Sequence, residues 1–103
     1  MSGLDNNSET TVTTAVTYVA TLNDYNILVL AAAGAVAITL PSAVRVGSGR
    51  VIRVYKDAAA QTITITPAVG LIDGAANTTL ATGAAHAKSF ISDGTNWFTV
   101  SAY

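Results

Sequence analysis

Few residues of this chain have the chemistry that catalysis or metal binding needs, and the sequence separates them from one another. His86 is the only histidine, and the chain contains no cysteine. A catalytic histidine needs a partner group placed against it, and the nearest acidic residue in sequence is Asp93, seven residues away. We therefore predict that His86 is a surface or interface residue, that the chain is not an enzyme, and that it binds no cofactor and no metal.

The aspartates outside the first part of the chain fall at turn-like positions. Asp73 and Asp93 are each followed by glycine, Gly74 and Gly94, and Asp57 directly follows the predicted strand over residues 50–56. Aspartate bonds to its own backbone in turns, and glycine supplies positive φ. A calcium loop would need alternating oxygen ligands closed by a bidentate glutamate, and neither Asp-Gly turn has them. These residues are predicted to be structural turns.

Four of the five cationic residues fall within one short window, and they are Arg45, Arg50, Arg53 and Lys56. A nucleic-acid patch would need a greater density of cations with aromatic residues between them. The net charge of −1 and the isoelectric point near 5.5 also provide no attraction for nucleic acid or for an anionic membrane. We predict that the cations pair with carboxylates of neighbouring protein subunits.

Composition predicts the elements that must position these residues. The chain has 15 Thr, 11 Val and 7 Ile, and β-branched residues suit a strand better than a helix. The fold class is therefore predicted to be all-β. Only 11% of residues are charged and the mean hydropathy is +0.46, so a monomer would expose much uncharged surface. We therefore predict that the chain is an obligate oligomer, which would bury much of this uncharged surface.

Alternating and apolar runs locate the predicted strands. In the clearest one, Ile63 and Ile65 face one side and the intervening threonines face the other. Residues 93–96 form the loop of a predicted hairpin. The predicted strands cover residues 10–20, 27–30, 36–40, 50–56, 61–66, 78–80, 84–92 and 97–102.

The chain divides into a polar arm over residues 1–9 and a single β domain over residues 10–103. The arm lacks the basic and apolar regions of a secretory signal, so synthesis in a cytosol is expected. The longest apolar run, residues 27–38, is interrupted by Gly34 and is too short to span a bilayer as a helix. No membrane partner is predicted.

Three short motifs, in their order and spacing, resemble a known class of domain. They are Leu40-Pro41-Ser42-Ala43, Ile72-Asp73-Gly74 and Asp93-Gly94-Thr95-Asn96-Trp97. The set resembles the small β domains that recur in bacteriophage tail fibres, head fibres and capsid decoration proteins. The resemblance implies a compact antiparallel β-sandwich or barrel-like domain that assembles as a homotrimer.

The function that this resemblance implies is that of a capsid decoration (cement) protein. It would bind the phage head as a trimer, contact the major capsid protein and stabilise the shell from the virion surface, after synthesis in the host cytoplasm. The module nearly fills the chain and no shaft accompanies it, which favours decoration over a fibre. The candidate capsid-binding residues are Leu4, Asp5, Glu9, Arg45 and Arg50, and the expected core and turn anchors are Pro41, Asp73, Gly74, Asp93, Gly94 and Trp97.

The alternative is a receptor- or glycan-binding module of a tail or head fibre, with Trp97 or Tyr103 stacking on sugar. A tail-spike depolymerase is disfavoured because the sequence indicates no cleft with paired carboxylates. Only seven residues are aromatic, and Trp97 directly follows a predicted turn. We therefore expect Trp97 to fill the interior and not to form a ligand platform.

Overall fold

The structure is a computed structural model that describes residues 10–13, 15–30, 34–58, 61–81 and 83–102. The predicted arm, residues 1–9, lies outside the described residues. The strands are β1 (Thr10–Thr13), β2 (Thr17–Val19), β3 (Asn26–Val29), β4 (Val36–Leu40), β5 (Ser48–Lys56), β6 (Ile63–Pro67), β7 (Thr78–Leu80), β8 (His86–Asp93) and β9 (Trp97–Ala102), and the helix is α1 (Ala43–Val46).

The strands form two sheets, one of five strands in the order β1-β3-β5-β8-β9 and one of four in the order β2-β4-β6-β7. The all-β prediction is confirmed, and β4, β7 and β9 have the predicted bounds. One cluster of buried apolar side chains includes residues of both sheets. Ile27 and Val54 come from the five-stranded sheet, and Ile38 and Ile63 come from the four-stranded sheet. The β-branched residues that indicated strands therefore also supply most of the core.

The prediction of an antiparallel fold is wrong, because both sheets are mixed. The pairs β1–β3, β3–β5, β2–β4 and β4–β6 are parallel, whereas β5–β8, β6–β7 and β8–β9 are antiparallel. The first six strands alternate between the two sheets, so the chain returns to each sheet in its earlier direction. Parallel neighbours need a long crossover, and here each crossover is a strand of the other sheet.

The predicted long strand over residues 10–20 is also wrong, because it is divided between the sheets as β1 and β2. The Thr13 hydroxyl accepts a hydrogen bond from the Ala15 backbone N–H at 3.0 Å. Threonine side chains that bond to nearby backbone in this way compete with a sheet ladder. The bond lies where the chain leaves one sheet for the other.

Helix α1 was not predicted. It is a single turn, in which Gly47 N–H donates to Ala43 O at 3.0 Å and Val46 N–H donates to Ser42 O at 3.1 Å. Gly47 has φ +85° and ends the helix. A turn this short leaves no periodic pattern in the sequence. No helix in the described part of the chain is long and apolar enough to cross a membrane.

Candidate functional site

Four loops meet at one end of the sheets, and we call this region the loop end: residues 20–25, 41–47, 68–75 and 93–96. Hydrogen bonds join them to one another and to the adjoining strand ends, as in the bonds from Leu71 N–H to Asn96 Oδ1 at 2.8 Å and from Ala68 N–H to Leu40 O at 2.9 Å. The residues that sequence analysis singled out and that lie in or beside the loop end are Pro41, Arg45, Arg50, Asp73, Gly74, Asp93, Gly94 and Trp97. The three motifs that carry the phage resemblance therefore come together in space.

Trp97 links the start of β9 to the loop that follows β4. Its side chain is fully buried, and its ring N–H donates to the Pro41 backbone oxygen at 3.0 Å. The Ser92 hydroxyl makes a parallel connection by donating to Ala43 O at 3.2 Å. Both bonds satisfy polar groups that burial would otherwise penalise. Trp97 is therefore not available as a surface for stacking sugar.

Asp73 and Gly74 form a tight turn and also contact the neighbouring strand. Both have positive φ, +53° and +79°, and Ile72 and Ala75 exchange backbone hydrogen bonds at 2.8 and 2.9 Å across the turn. These are the properties of a two-residue hairpin turn. The Asp73 carboxylate accepts hydrogen bonds from Thr99, from its backbone N–H at 2.8 Å and from its hydroxyl at 2.5 Å. The second role of Asp73 has no local signal in the sequence, because Thr99 lies 26 residues away.

Asp93 closes the hairpin loop between β8 and β9. One carboxylate oxygen accepts the backbone N–H groups of Thr95 at 2.9 Å and Asn96 at 2.8 Å. These bonds, the one from Asn96 first, hold the pKa of Asp93 below its ordinary value. Gly94, with φ +93°, provides the backbone conformation that the loop requires.

Gly70 packs directly against this hairpin loop. A Cβ atom at Gly70 would lie 2.8 Å from both Asn96 Oδ1 and Thr95 O. The same Asn96 oxygen accepts the Leu71 backbone N–H at 2.8 Å, and Trp97 N–H donates to Leu71 O at 2.9 Å. The close approach of the two loops therefore depends on a residue without a side chain.

Asp24 is a buried acid that sequence analysis did not single out. Its Oδ2 accepts the Tyr18 hydroxyl at 2.6 Å and the Thr21 backbone N–H at 2.8 Å, and the residue is 4% exposed. These bonds fix the loop between β2 and β3. The spacing of Thr21 and Asp24 is a local turn signal, but nothing local indicates that Tyr18 would bond to the carboxylate.

Arg50 and Arg45 lie in two different depressions of the loop end. Arg50 is half-buried, its guanidinium lies 4.0 Å from the centre of the Tyr25 ring, and its Nη2 donates to the backbone oxygen of Asp24. Arg45 is exposed and borders a mainly apolar groove of about 440 Å³ that includes Leu22 and Val69. The two candidate capsid-binding arginines therefore do not form one patch.

The other candidate capsid-binding residues, Leu4, Asp5 and Glu9, lie outside the described residues. The position of the adjoining strand is defined, because Thr10 pairs with Asn26, the residue that follows Tyr25. The described chain thus begins beside the loop end.

The prediction that all four clustered cations pair with carboxylates of neighbouring subunits is wrong for Lys56. It is fully buried, and its ammonium group donates to Asp57 O at 3.0 Å and to Ala84 O at 2.5 Å. The alternation of β5 places it on the same face as the buried Ile52 and Val54. That alternation was the signal in the sequence that could have revealed its burial.

His86 pairs with Lys56 across β5 and β8, at the opposite end of the molecule from Trp97. Its side chain is half-buried. Among the described residues, no group of three His, Cys, Asp or Glu side chains is placed to hold a metal ion.

Comparisons of the chain with protein-family models, with curated proteins and with solved structures found no match.

Proposed function

We propose that this protein is a bacteriophage virion structural protein, a capsid decoration protein that binds the phage head as a homotrimer and stabilises it. The observation that carries the proposal is the apolar character of the surface. Large apolar side chains exposed among the described residues are Val12, Val16, Val19, Leu22, Val44, Val69, Leu71, Phe98 and Val100. So many exposed apolar groups in a chain with 11% charged residues favour burial against other subunits.

The finer architecture that we infer is a β-sandwich, with the two sheets stacked face to face. Its support is the alternation along the strands. The buried residues of β3, Ile27 and Val29, alternate with Asn26 and Leu28, and β4 has buried Val36, Ile38 and Leu40. Each sheet thus contributes one face to the shared core, as a sandwich requires.

The outer face of the five-stranded sheet is the surface that we assign to contact between copies. Val12, Leu28 and Tyr55 align across three strands in one apolar row, and Ile91 and Phe98 pair in another. Val12 is 59% exposed and Phe98 is 39% exposed. A face with two apolar rows resembles the apolar centre of a homo-oligomeric interface.

Capsid contact is assigned to the loop end, together with residues 1–9. Arg45 and the exposed apolar Leu22 and Val44 lie there, and the described chain begins beside it. In a trimer this surface would be presented three times. Three weak contacts that are tethered together act at high effective concentration, which suits a protein that must remain on a shell.

The trimer is tested by light scattering coupled to gel filtration at micromolar concentration, with an expected mass of about three times 10.5 kDa. Phe98→Asp places a charge on the assigned subunit face and should give monomers. Val44→Asp is the matched control, because Val44 is also exposed but lies on α1, and it should remain a trimer. A monomeric parent protein would contradict the oligomer and the avidity argument together.

Attachment is tested by co-sedimentation with phage heads that lack the protein. A variant without residues 1–9 should keep its trimer mass and melting temperature while binding heads less tightly. Undiminished binding would show that the β domain alone makes the contact. Binding to host envelope glycans, without binding to heads, would replace the decoration proposal with the fibre alternative.

A further inference from the structure

The cavity beside Arg50 has the properties of a small binding site. It is a half-open cavity of about 270 Å³ where β3 and β5 begin, and it is lined by Tyr25, Gly49, Arg50, Val51 and Arg53. One water occupies about 30 Å³ in the liquid, so the space corresponds to roughly nine waters. A carboxylate with several attached carbon atoms fits this volume.

The Arg50 guanidinium is held in place before any ligand arrives. It lies 4.0 Å from the centre of the Tyr25 ring, and Nη2 donates to the Asp24 backbone oxygen. Asp24 is itself fixed by bonds from Tyr18 and Thr21. An arginine held by an aromatic ring and a backbone oxygen loses little further freedom on binding, which favours affinity.

The same guanidinium keeps unused capacity to donate. The bond to Asp24 uses one of its five N–H groups, and the other N–H groups of Nη1 and Nη2 remain able to donate, whereas Nε is buried and has no hydrogen-bond partner among the described residues. Among the described residues, neither Arg50 nor Arg53 forms an ion pair with a carboxylate. Two cations thus line one cavity, and the nearby Asp24 carboxylate accepts hydrogen bonds from Tyr18 and Thr21.

We propose that this cavity binds a carboxylate group, with Arg50 as the fixed fork and Arg53 as the second cation. A planar carboxylate matches the guanidinium fork through two parallel N–H···O bonds. The Val51 side chain and the Tyr25 ring provide apolar contact for the carbon atoms of the ligand. Gly49 adds no side chain to the wall, and a Cβ there would have no neighbour within 4 Å, so the entrance is open.

The carboxylate has two possible sources, a small free acid or an Asp or Glu side chain of a protein partner, and both share this chemistry. The inference does not depend on the decoration role. Val51 and Arg53 lie on the sheet face assigned to contact between copies, since Val51 pairs with Ile91 and Ile91 pairs with Phe98, so the titrations are made on the Phe98→Asp variant as well as on the parent protein. If the chain does not bind acetate, the expected trimer mass and head binding are unchanged. If the chain is not a trimer or does not bind heads, the expected acetate binding is unchanged.

The test follows the side-chain Nε–H signals of arginine in the ¹⁵N-labelled full chain during titration with sodium acetate, with sodium chloride at equal ionic strength as reference. We expect a saturable shift of the Arg50 signal and of the Tyr25 backbone amide with acetate alone. Equal shifts in chloride, or shifts that never saturate, would overturn the proposal.

Two arginine variants localise the effect. Arg53→Gln should weaken acetate binding about two- to fivefold, the range expected for one partly exposed charge pair. Arg53 is exposed and Arg50 keeps its contacts in this variant, so folding should be preserved. Arg45→Gln is the matched control, since it removes an equal charge from the separate groove. Equal weakening by both variants would show a general charge effect and no site.

Further titrations identify the ligand. A blocked tripeptide with central glutamate should bind and its glutamine counterpart should not. Tighter binding of the glutamate peptide than of acetate would assign the site to a protein partner, and equal affinity would assign it to small free acids. Tighter binding of inorganic phosphate than of either carboxylate would overturn the assignment.

Discussion

Trp97 and Lys56 lie at opposite ends of the same core, and each ends in a polar group that donates to backbone oxygens. Trp97 uses one neutral N–H, bonded to Pro41 O at 3.0 Å. Lys56 uses a charged ammonium, bonded to Asp57 O and Ala84 O. Both side chains are fully buried.

The two ends differ in how burial of the side chain changes the free energy of folding. The indole is largely apolar, so its burial is favourable and needs one hydrogen bond to be complete. The ammonium loses its hydration on burial, and its bonds to carbonyl oxygens mainly offset that cost. The tryptophan end should therefore stabilise the fold strongly, whereas the lysine end should contribute little net free energy despite an equal degree of burial.

The largest effect is expected at Trp97. Trp97→Ala should lower the free energy of unfolding by about 3–5 kcal/mol, because it leaves a cavity and removes the bond to Pro41. Chemical denaturation measures this directly. Phe98→Ala is the adjacent control, since Phe98 is 39% exposed and should cost much less in protein held below the concentration at which it associates. Similar losses of unfolding free energy for the two variants would show that the buried Trp97 stabilises the fold no more than the exposed Phe98 does.

Glycine substitutions extend the comparison to the loops at the two ends. Gly70→Ala introduces a Cβ 2.8 Å from two oxygens of the hairpin loop, at φ +87°. Strain at positive φ and the steric clash should together cost about 2–4 kcal/mol. Gly83, beside Ala84, has φ +102° and open space around a Cβ, so Gly83→Ala should show the φ strain alone. An equal decrease in melting temperature for both variants would mean that the hairpin loop moves to accommodate the added methyl group.

A smaller effect is expected at Lys56. Lys56→Met keeps most of the volume and removes the buried charge together with its desolvation cost, while two backbone oxygens lose a donor. The free energy of unfolding should change by less than about 2 kcal/mol. A loss as large as that of Trp97→Ala would show that the two ends contribute alike.

The smallest effect concerns acid stability at the hairpin loop. The pKa of Asp93 is lowered by N–H groups of Asn96 and Thr95, so its contribution is complete above the ordinary pKa of 3.8 and disappears as pH falls through the lowered value. Asp93→Asn should therefore lower stability slightly at neutral pH and flatten the decline below pH 3.8, where the stabilities of parent and variant converge. Urea midpoints measured between neutral pH and acid check this. Identical pH profiles for parent and variant would exclude a contribution from Asp93.

Local patterns in the sequence predicted the strands and turns whose partners are close in the chain. The alternation of Ile63 and Ile65 located β6, and residues 93–96 form the expected loop between β8 and β9. Turn chemistry at Asp73 and Gly74 follows from residue type, because few residues tolerate positive φ. These features depend on neighbours within a few positions.

Contacts between distant segments were not predictable in this way. Thr10 pairs with Asn26 and Val36 pairs with Ile63, and the parallel direction of both pairs depends on strands that pass through the other sheet. Periodicity locates a strand and leaves its partner undefined. The cavity beside Arg50 could not be predicted for the same reason, because Arg50 contacts Tyr25 only where β3 and β5 are neighbours.

The bonds between Asp73 and Thr99 have a consequence for how copies of this protein can associate. Strand β9 is the border of its sheet, and a border strand offers unpaired backbone groups to any passing strand. Here Asp73 N–H donates a hydrogen bond to Trp97 O, and the Asp73 carboxylate accepts one from Thr99 N–H. A foreign strand cannot add along this stretch without displacing them. Asp73 thus protects this part of the β9 edge against the edge-to-edge pairing that leads to aggregation.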